Sequence, residues 1–278
     1  MAVCNVCFRH CDIPEGKTGF CGARTCSGGA VTAANYGRIT SFALDPIEKK
    51  PLARFHSGSL VLSVGSYGCN LRCPFCQNSD ISWSEHAMKL AGTAEAVTPE
   101  ELTAAALRYR PKGNIGLAFT YNEPLIGYEF VRDTAKLVHE NGMMNVLVTN
   151  GTAELAVLDE LSPYIDAMNI DLKGFTDRYY SKVLGGNRSM VMRFIERAIH
   201  SAHIELTTLI IPDENDSEAE MRELSSWVAS LSPEIPLHIS RFFPRFHMTD
   251  RNATDVAHVY RLADAAREKL KYVFTGNC

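Results

Sequence analysis

The sequence has no run of about 18 consecutive apolar residues, the length a helix needs to cross a bilayer, and no charged segment leading into a short apolar stretch at its start. A membrane span and export are therefore not expected, and the chain reads as cytoplasmic. It also lacks a basic stripe: the net charge is −4 with Lys and Arg dispersed, which argues against a nucleic-acid duplex as partner. No period of roughly 20 to 50 residues repeats, and there is no low-complexity tract. Cysteine is missing altogether between Cys76 and Cys278. The 9 cysteines thus fall mainly in two local clusters, and an odd count in tight clusters suits metal binding in a reducing compartment better than a disulfide framework.

With 46% hydrophobic and 22% charged residues among 278, the composition is that of a globular protein able to bury a sizeable core. From residue 59 onward, short β-rich runs alternate with helical patterns. The runs are SLVLSVGS (59–66), NIGLAFT (114–120), MNVLVTN (144–150), IDAMNIDL (165–172), IELTTLII (204–211), PLHISRFF (236–243) and KYVFTG (271–276). Thr98-Pro99-Glu100-Glu101 and Ser217-Glu218-Ala219-Glu220 read as capping boxes, and Asn141-Gly142 as the stop of a helix that begins after Pro124. Strands apolar on both faces and separated by single helices imply parallel pairing with right-handed crossovers. The expected fold class is α/β, a partial (β/α)6 TIM-like barrel over residues 59–278, with a doubly wound open sheet as rival. Residues 1–58 form a small N-terminal Cys-rich metal-binding region, with a hairpin expected around NYGRITSFALDPIEKKP and a boundary near Ser57-Gly58.

In either fold, chemistry belongs at the carboxyl ends of the strands. The unusual residues sit there: Cys69, Cys73 and Cys76 after the first run, Tyr121-Asn122-Glu123-Pro124 after the second, Asn150 after the third, Asp171 and Lys173 after the fourth, and His247 after the sixth. Three cysteines make an incomplete structural zinc site, which needs four ligands. A four-iron cluster held by three cysteines keeps one iron open for another ligand. Flanking Gly65 and Gly68, with Pro74, keep the loop irregular, so that its amides can turn toward the cluster.

The C-x3-C-x2-C spacing at the end of a first barrel strand resembles the radical S-adenosylmethionine superfamily. The resemblance implies that Cys69, Cys73 and Cys76 ligate a [4Fe-4S] cluster, that the open iron binds S-adenosylmethionine, and that reductive cleavage yields a 5′-deoxyadenosyl radical that abstracts hydrogen. By the same resemblance, Phe75 packs near the adenine. Tyr121-Asn122-Glu123 resembles a glycine-glycine-glutamate stretch with both glycines replaced, so Asn122 and Glu123 are expected to contact the methionine moiety. Asn150 and Asp171 suit the ribose, Lys173 the cofactor carboxylate, and His247 resembles a cofactor-contacting histidine of glycyl-radical activases. Each assignment has a plainer rival: a first-turn acid favoured by the helix dipole for Glu123, a weak surface ion pair for Asp171 and Lys173, and an ordinary surface residue for His247. Arg241 and Arg245 among Phe242, Phe243 and Phe246 read as a strand end with buried aromatics, the rival being a single-strand-binding patch.

Cys4, Cys7, Cys11 and Cys21 give C-x2-C-x3-C-x9-C, a closed set that fits structural zinc or an auxiliary iron–sulfur cluster. Cys26 and Cys278 have no obvious partners. This N-terminal pattern, with DPIEKKPL, CNLRCPFCQNSDIS, YNEP, NIDLKGF and HISRFFPRFHMTD, resembles the AmmeMemoRadiSam system radical SAM enzymes, which are similar to pyruvate formate-lyase activating enzymes. The resemblance implies anaerobic chemistry, Memo-like and AMMECR-like partner proteins, and a flavodoxin or ferredoxin as low-potential electron donor. A glycyl radical activase is the alternative activity. A non-catalytic electron carrier or zinc-scaffolded binding module is the alternative from another class.

Overall fold

Strands apolar on both faces need cover on both, and the seven runs obtain it as parallel strands. The computed structural model describes residues 1–278. Four short strands come first: β1 (Ala2–Val3), β2 (Asp12–Ile13), β3 (Arg24–Ser27) and β4 (Ala30–Ala33). Then follow β5 (Ser41–Pro46), β6 (Leu60–Gly65), β7 (Asn114–Phe119), β8 (Met144–Thr149), β9 (Ala167–Asp171), β10 (His203–Ile210), β11 (Leu237–Arg241) and β12 (Val273–Gly276). Strands β5 to β12 form one 8-stranded sheet in sequential order, and its end strands β5 and β12 are not paired with each other. β5 is antiparallel to β6, and from β6 to β12 every pairing is parallel. Sequential order means that each crossover steps in the same direction, which excludes the doubly wound alternative, where the order must reverse.

The helices are α1 (Ser79–Ser82), α2 (Glu85–Thr93), α3 (Pro99–Tyr109), α4 (Tyr128–Glu140), α5 (Leu155–Leu161), α6 (Arg188–Ala198), α7 (Glu218–Leu231) and α8 (Val256–Arg267). Right-handed crossovers in a sequential sheet set the connecting helices on one face. One core accordingly joins Leu102, Val131, Leu158, Phe194, Leu224 and Leu262 of the helices to Leu62, Leu117, Leu147, Met168 and Leu206 of the strands. Helix α3 starts at the complete Thr98/Glu101 capping box. At α7 only half of the expected box forms: Ser217 accepts from the Glu220 amide, but the Glu220 side chain accepts instead from the Phe175 amide at 2.6 Å. Asn141 closes α4, and Gly142 takes the left-handed φ of +64° that this stop requires.

The opposite face is closed by the chain's own segment after β5. Ile47 and Leu52, both fully buried, pack with Val61, Ala118, Val146 and Ala167. Burial of each such side chain contributes about 1.5–3 kcal/mol. The segment is also held by hydrogen bonds. Asn169 donates to the Pro51 carbonyl at 2.8 Å. Glu205, fully buried in β10, accepts from the amides of Ala53 (2.9 Å) and Arg54 (2.7 Å), and its oxygens lie 3.0 Å from His203 Nε2 and 2.6 Å from His238 Nε2. These residues sit toward the amino ends of their strands, away from the cysteine rim.

The expected hairpin lies elsewhere. Residues 41–46 pair not within their own stretch but with Leu60–Gly65, since the buried sheet edge offers a longer ladder than a local turn. The N-terminal hairpin is instead β3/β4, turned by Gly28 and Gly29 at φ +60° and +77°, a left-handed pair of the kind that tight hairpins favour. The carboxylate of Glu15 accepts from both turn amides, at 2.6 and 3.1 Å. The boundary expected near Ser57-Gly58 falls in the connection between two strands that pair with each other. No helix is long and apolar enough to cross a membrane.

Candidate functional site

At the end of β6 the chain leaves the sheet through a loop whose shape is set by close backbone approach. Gly68 has φ +88°, and a Cβ there would stand 2.6 Å from the Cys21 carbonyl oxygen. A side chain would thus break the contact in which the Cys69 amide donates to that carbonyl at 3.2 Å. Asn122, on the neighbouring strand end, reinforces the turn. Its carbonyl accepts from the Ser66 amide (2.9 Å), and its amide donates to the carbonyls of Tyr67 (3.1 Å) and Gly68 (3.2 Å).

Cys69, Cys73 and Cys76 are unpaired thiols, with Cys73 buried and the other two half-buried. Burial raises all three thiols, that of Cys73 to about 11. The charges of Cys73 and Cys76 contribute to the rise at Cys69, so the three are close neighbours. The Leu71 amide (3.4 Å) and Asn150 Nδ2 (3.7 Å) point at the Cys69 sulfur. Soft thiol donors with amide donors aimed at sulfur are the chemistry an iron–sulfur cluster requires. No three His, Cys, Asp or Glu side chains are already drawn to one point as a formed metal centre. On the donor set, the residues fit the cluster.

Tyr121 stands in the left-handed region at φ +72°, the conformation natural to a glycine. The strain, roughly 1–2 kcal/mol for an L residue, is offset by contacts below: its hydroxyl donates to Asp45 at 2.9 Å, and Lys50 lies 4.7 Å from its ring centroid. Asp45 also pairs with Lys49 and buried Lys50 at 3.1 and 3.0 Å. Although burial would raise its carboxyl, these partners hold it well below the usual range.

Glu123 is almost fully buried, and both of its carboxylate oxygens are engaged. One accepts from the Thr149 hydroxyl (2.6 Å) and the Leu125 amide (3.1 Å), the other from the Asn150 amide (2.8 Å). Burial, with a smaller push from Asp171, outweighs these donors and pushes its pKa up to about 7. Glu123 therefore does cap the short turn Pro124–Gly127, as its plainer reading held, and has three of about four lone-pair sites occupied. Lys173 Nζ meets Asp171 at 2.8 Å; burial would lower its pKa, but Asp171 and Cys73 raise it, so it stays charged beside the thiols.

Phe75 is buried edge-on against Phe242, ring centroids 6.5 Å apart. His247 is exposed, with its ring 3.8 Å from that of Phe246; its backbone amide, not its imidazole, reaches the cysteine loop, donating to the Pro74 carbonyl at 2.8 Å. The cysteines, Asn122, Glu123, Asn150, Asp171 and Lys173 thus gather on one rim, and His247 joins through its main chain. Reading the sequence missed Asn70. Buried inside the cysteine motif, it accepts from Asn150 (2.9 Å) and donates to Thr152, while its carbonyl accepts from Arg9 Nε at 2.7 Å. An asparagine between two ligand-type cysteines was the available signal.

Cys4, Cys7, Cys11 and Cys21 line one cavity, together with Arg9 and Arg24. Burial pushes the Cys7 thiol to about 11 and raises that of Cys21. Cys26 is fully buried in β3 with its sulfur 3.5 Å from Glu15, and Cys278 is exposed.

Residues 63–224 match the radical SAM superfamily. An uncharacterized protein of Methanocaldococcus jannaschii is 40% identical over 277 residues, which is 99% of this chain and 80% of that protein. The pyruvate formate-lyase-activating enzyme of Clostridium pasteurianum is 28% identical over 169 residues, 59% of this chain and 67% of the enzyme. Among solved structures, Streptococcus suis SuiB bound to S-adenosylmethionine superposes with a TM-score of 0.60 at 13% identity. That match covers 79% of this chain, which spans about half, 52%, of SuiB.

Proposed function

The chain belongs to the radical SAM superfamily, an enzyme class that reductively cleaves S-adenosylmethionine, and on that premise we propose that Cys69, Cys73 and Cys76 hold the [4Fe-4S] cluster and that the surrounding rim binds the cofactor. The observation that carries this reading is the convergence on one rim of three unpaired thiols with the carboxyl ends of the next three strands. When bound, the cluster supplies an electron to the sulfonium and so a 5′-deoxyadenosyl radical, which abstracts hydrogen from substrate.

The protein's own share is placement and exclusion. Asn122 fixes the turn that presents Cys69, and Asn150 and the Leu71 amide donate toward its sulfur. Glu123 keeps about one lone pair for the cofactor's ammonium, held in place by Thr149 and the Asn150 amide. Lys173, kept protonated by Asp171, offers a cation to the carboxylate, and Asp171 suits the ribose. Phe75 and Phe242 form an apolar wall suited to the adenine. His247 serves through the strap over Pro74, and meeting the cofactor requires its imidazole to leave the Phe246 ring, 3.8 Å away. A partial barrel floored by residues 47–55 shields the radical from water.

The finer assignment is to the AmmeMemoRadiSam branch: a cytoplasmic enzyme working with Memo-like and AMMECR-like proteins and a flavodoxin or ferredoxin donor, with a second metal at Cys4, Cys7, Cys11 and Cys21. Anaerobic reconstitution with S-adenosylmethionine and a low-potential reductant should yield 5′-deoxyadenosine. None from a cluster-loaded sample refutes the reading, and failure to capture the Memo-like protein counts against the branch. Similarity to pyruvate formate-lyase-activating enzymes favours a second reading, an activase that installs a glycyl radical on a partner. A protein-based doublet in electron paramagnetic resonance after mixing with that partner would distinguish it.

A further inference from the structure

The N-terminal cavity gathers four cysteines from three separate turns of chain, Cys4 and Cys7, Cys11, and Cys21, none of them in a disulfide. Each of Cys4, Cys7 and Cys21 is buried. All four residues line one cavity, and the Cys4 amide donates to the Cys11 carbonyl at 2.9 Å, tying the first turn to the second. That space is small, about 10 Å³, the size of one water-sized sphere. Four thiol donors around one small space are the closed donor set that a single tetrahedral ion takes.

A second observation points into the same space. Arg24 lines the cavity and is 5% exposed. Its Nη1 donates outward to Glu129 at 2.7 Å, but its Nε is buried with no oxygen acceptor and only the weakly accepting Cys4 thiol beside the guanidinium. A buried guanidinium N–H without a good acceptor is costly, and a metal-bound thiolate is the acceptor that would relieve it. Cys4 is the thiol nearest in influence to this guanidinium. On the other wall Arg9 is fastened by the carbonyls of Asn70 and Gly185, both at 2.7 Å, between this cavity and the Cys69 loop.

We propose that Cys4, Cys7, Cys11 and Cys21 form a mononuclear four-thiolate zinc site that braces the Cys69 loop. Binding exchanges four thiol protons for one Zn²⁺ with no change of oxidation state, and it closes a tetrahedron as structural zinc requires. The brace is direct: the carbonyl of Cys21 accepts from the Cys69 amide at 3.2 Å, and Arg9 grips the carbonyl of Asn70, next to Cys69. Fixing Cys21 fixes the residue that starts the triad. The zinc site stands on its own residues; only the brace rests on the triad holding iron.

The test is metal analysis of the full-length C69A/C73A/C76A variant, which leaves the N-terminal site as the sole thiol cluster. About one zinc per chain, without acid-labile sulfide, is expected. Iron with matching sulfide, one iron in place of zinc, or no tightly held metal would overturn the proposal. Should that variant not fold, zinc-edge X-ray absorption on the wild-type chain reads the zinc alone: four sulfur neighbours at about 2.3 Å are expected, and nitrogen or oxygen neighbours refute the site. For the brace, Cys11→Ser in the otherwise intact chain should weaken iron retention at the triad roughly tenfold, and unchanged retention would overturn that part. Zinc retained in a chain that makes no 5′-deoxyadenosine would uphold the site while rejecting the proposed function.

Discussion

Replacing Glu205 by glutamine keeps the shape of the side chain and removes its charge, which isolates the electrostatic share of the segment that closes the sheet's second face. The carboxylate is fully buried, and burial alone would raise its pKa; hydrogen bonds with His203, His238 and the amides of Ala53 and Arg54 outweigh that and hold it at about 2 against an ordinary 4.5. At about 1.4 kcal/mol for each tenfold change in proton affinity, the ionised form contributes roughly 3 kcal/mol. That is a large fraction of a typical total of about 5–15 kcal/mol. Because the folded pKa lies below the unfolded one, the contribution is complete above about pH 4.5, shrinks as the pH falls, and is gone near pH 2. At neutral pH, E205Q should melt roughly 6–12 °C below the wild type, and the gap should narrow on acidification. Thermal unfolding of both proteins followed by circular dichroism measures it. A gap worth under about 1 kcal/mol at neutral pH, or one that stays constant between about pH 5 and pH 3, would refute the reasoning.

Three further substitutions probe the rim. Gly68→Ala forces a Cβ to 2.6 Å from the Cys21 carbonyl at a left-handed φ; cluster loading should drop steeply, and wild-type iron content would show that the turn tolerates the shift. Asn122→Ala removes the three bonds that shape residues 66–68, with an expected loss of about 10–100-fold in iron affinity, read by competition with a chelator; an unchanged affinity would remove Asn122 from its positioning role. Lys173→Met leaves Asp171 without its cation at 2.8 Å and should weaken S-adenosylmethionine binding about tenfold, or 1.4 kcal/mol; calorimetry showing equal affinity would contradict the assignment of Lys173.

The parallel strands were legible because burial on both faces leaves a continuous apolar run, as in LVLSVG and NIGLAF, and the rim followed from their order. The hairpin of the N-terminal region was not: SFALDP alternates like a free-standing strand, and its partner is named only by the sheet that forms later in the chain. The adjacent glycines of the SGGA turn are the local mark of the hairpin that does form there. Glu220 matched the capping pattern, yet the Phe175 amide, 45 residues away in sequence, took its carboxylate. Glu205 reads as a polar interruption in IELTTLII, since nothing near it in sequence hints at the Ala53 and Arg54 amides. Local rules saw what neighbours decide; the floor and the Asn70 network are set by partners distant along the chain.

The floor has a consequence for the newborn chain. Residues 47–55 leave the ribosome before any parallel strand exists, and the carboxylate that anchors Ala53 comes 152 residues later. At roughly 5–20 residues per second, that is an interval of about eight to thirty seconds in which the amides of Ala53 and Arg54 stay without their acceptor. A nascent fragment cut short before β10 would hold the apolar partners of Ile47 and Leu52 but lack the carboxylate that pins Ala53 and Arg54, leaving the stopper seated at one end and loose at the other.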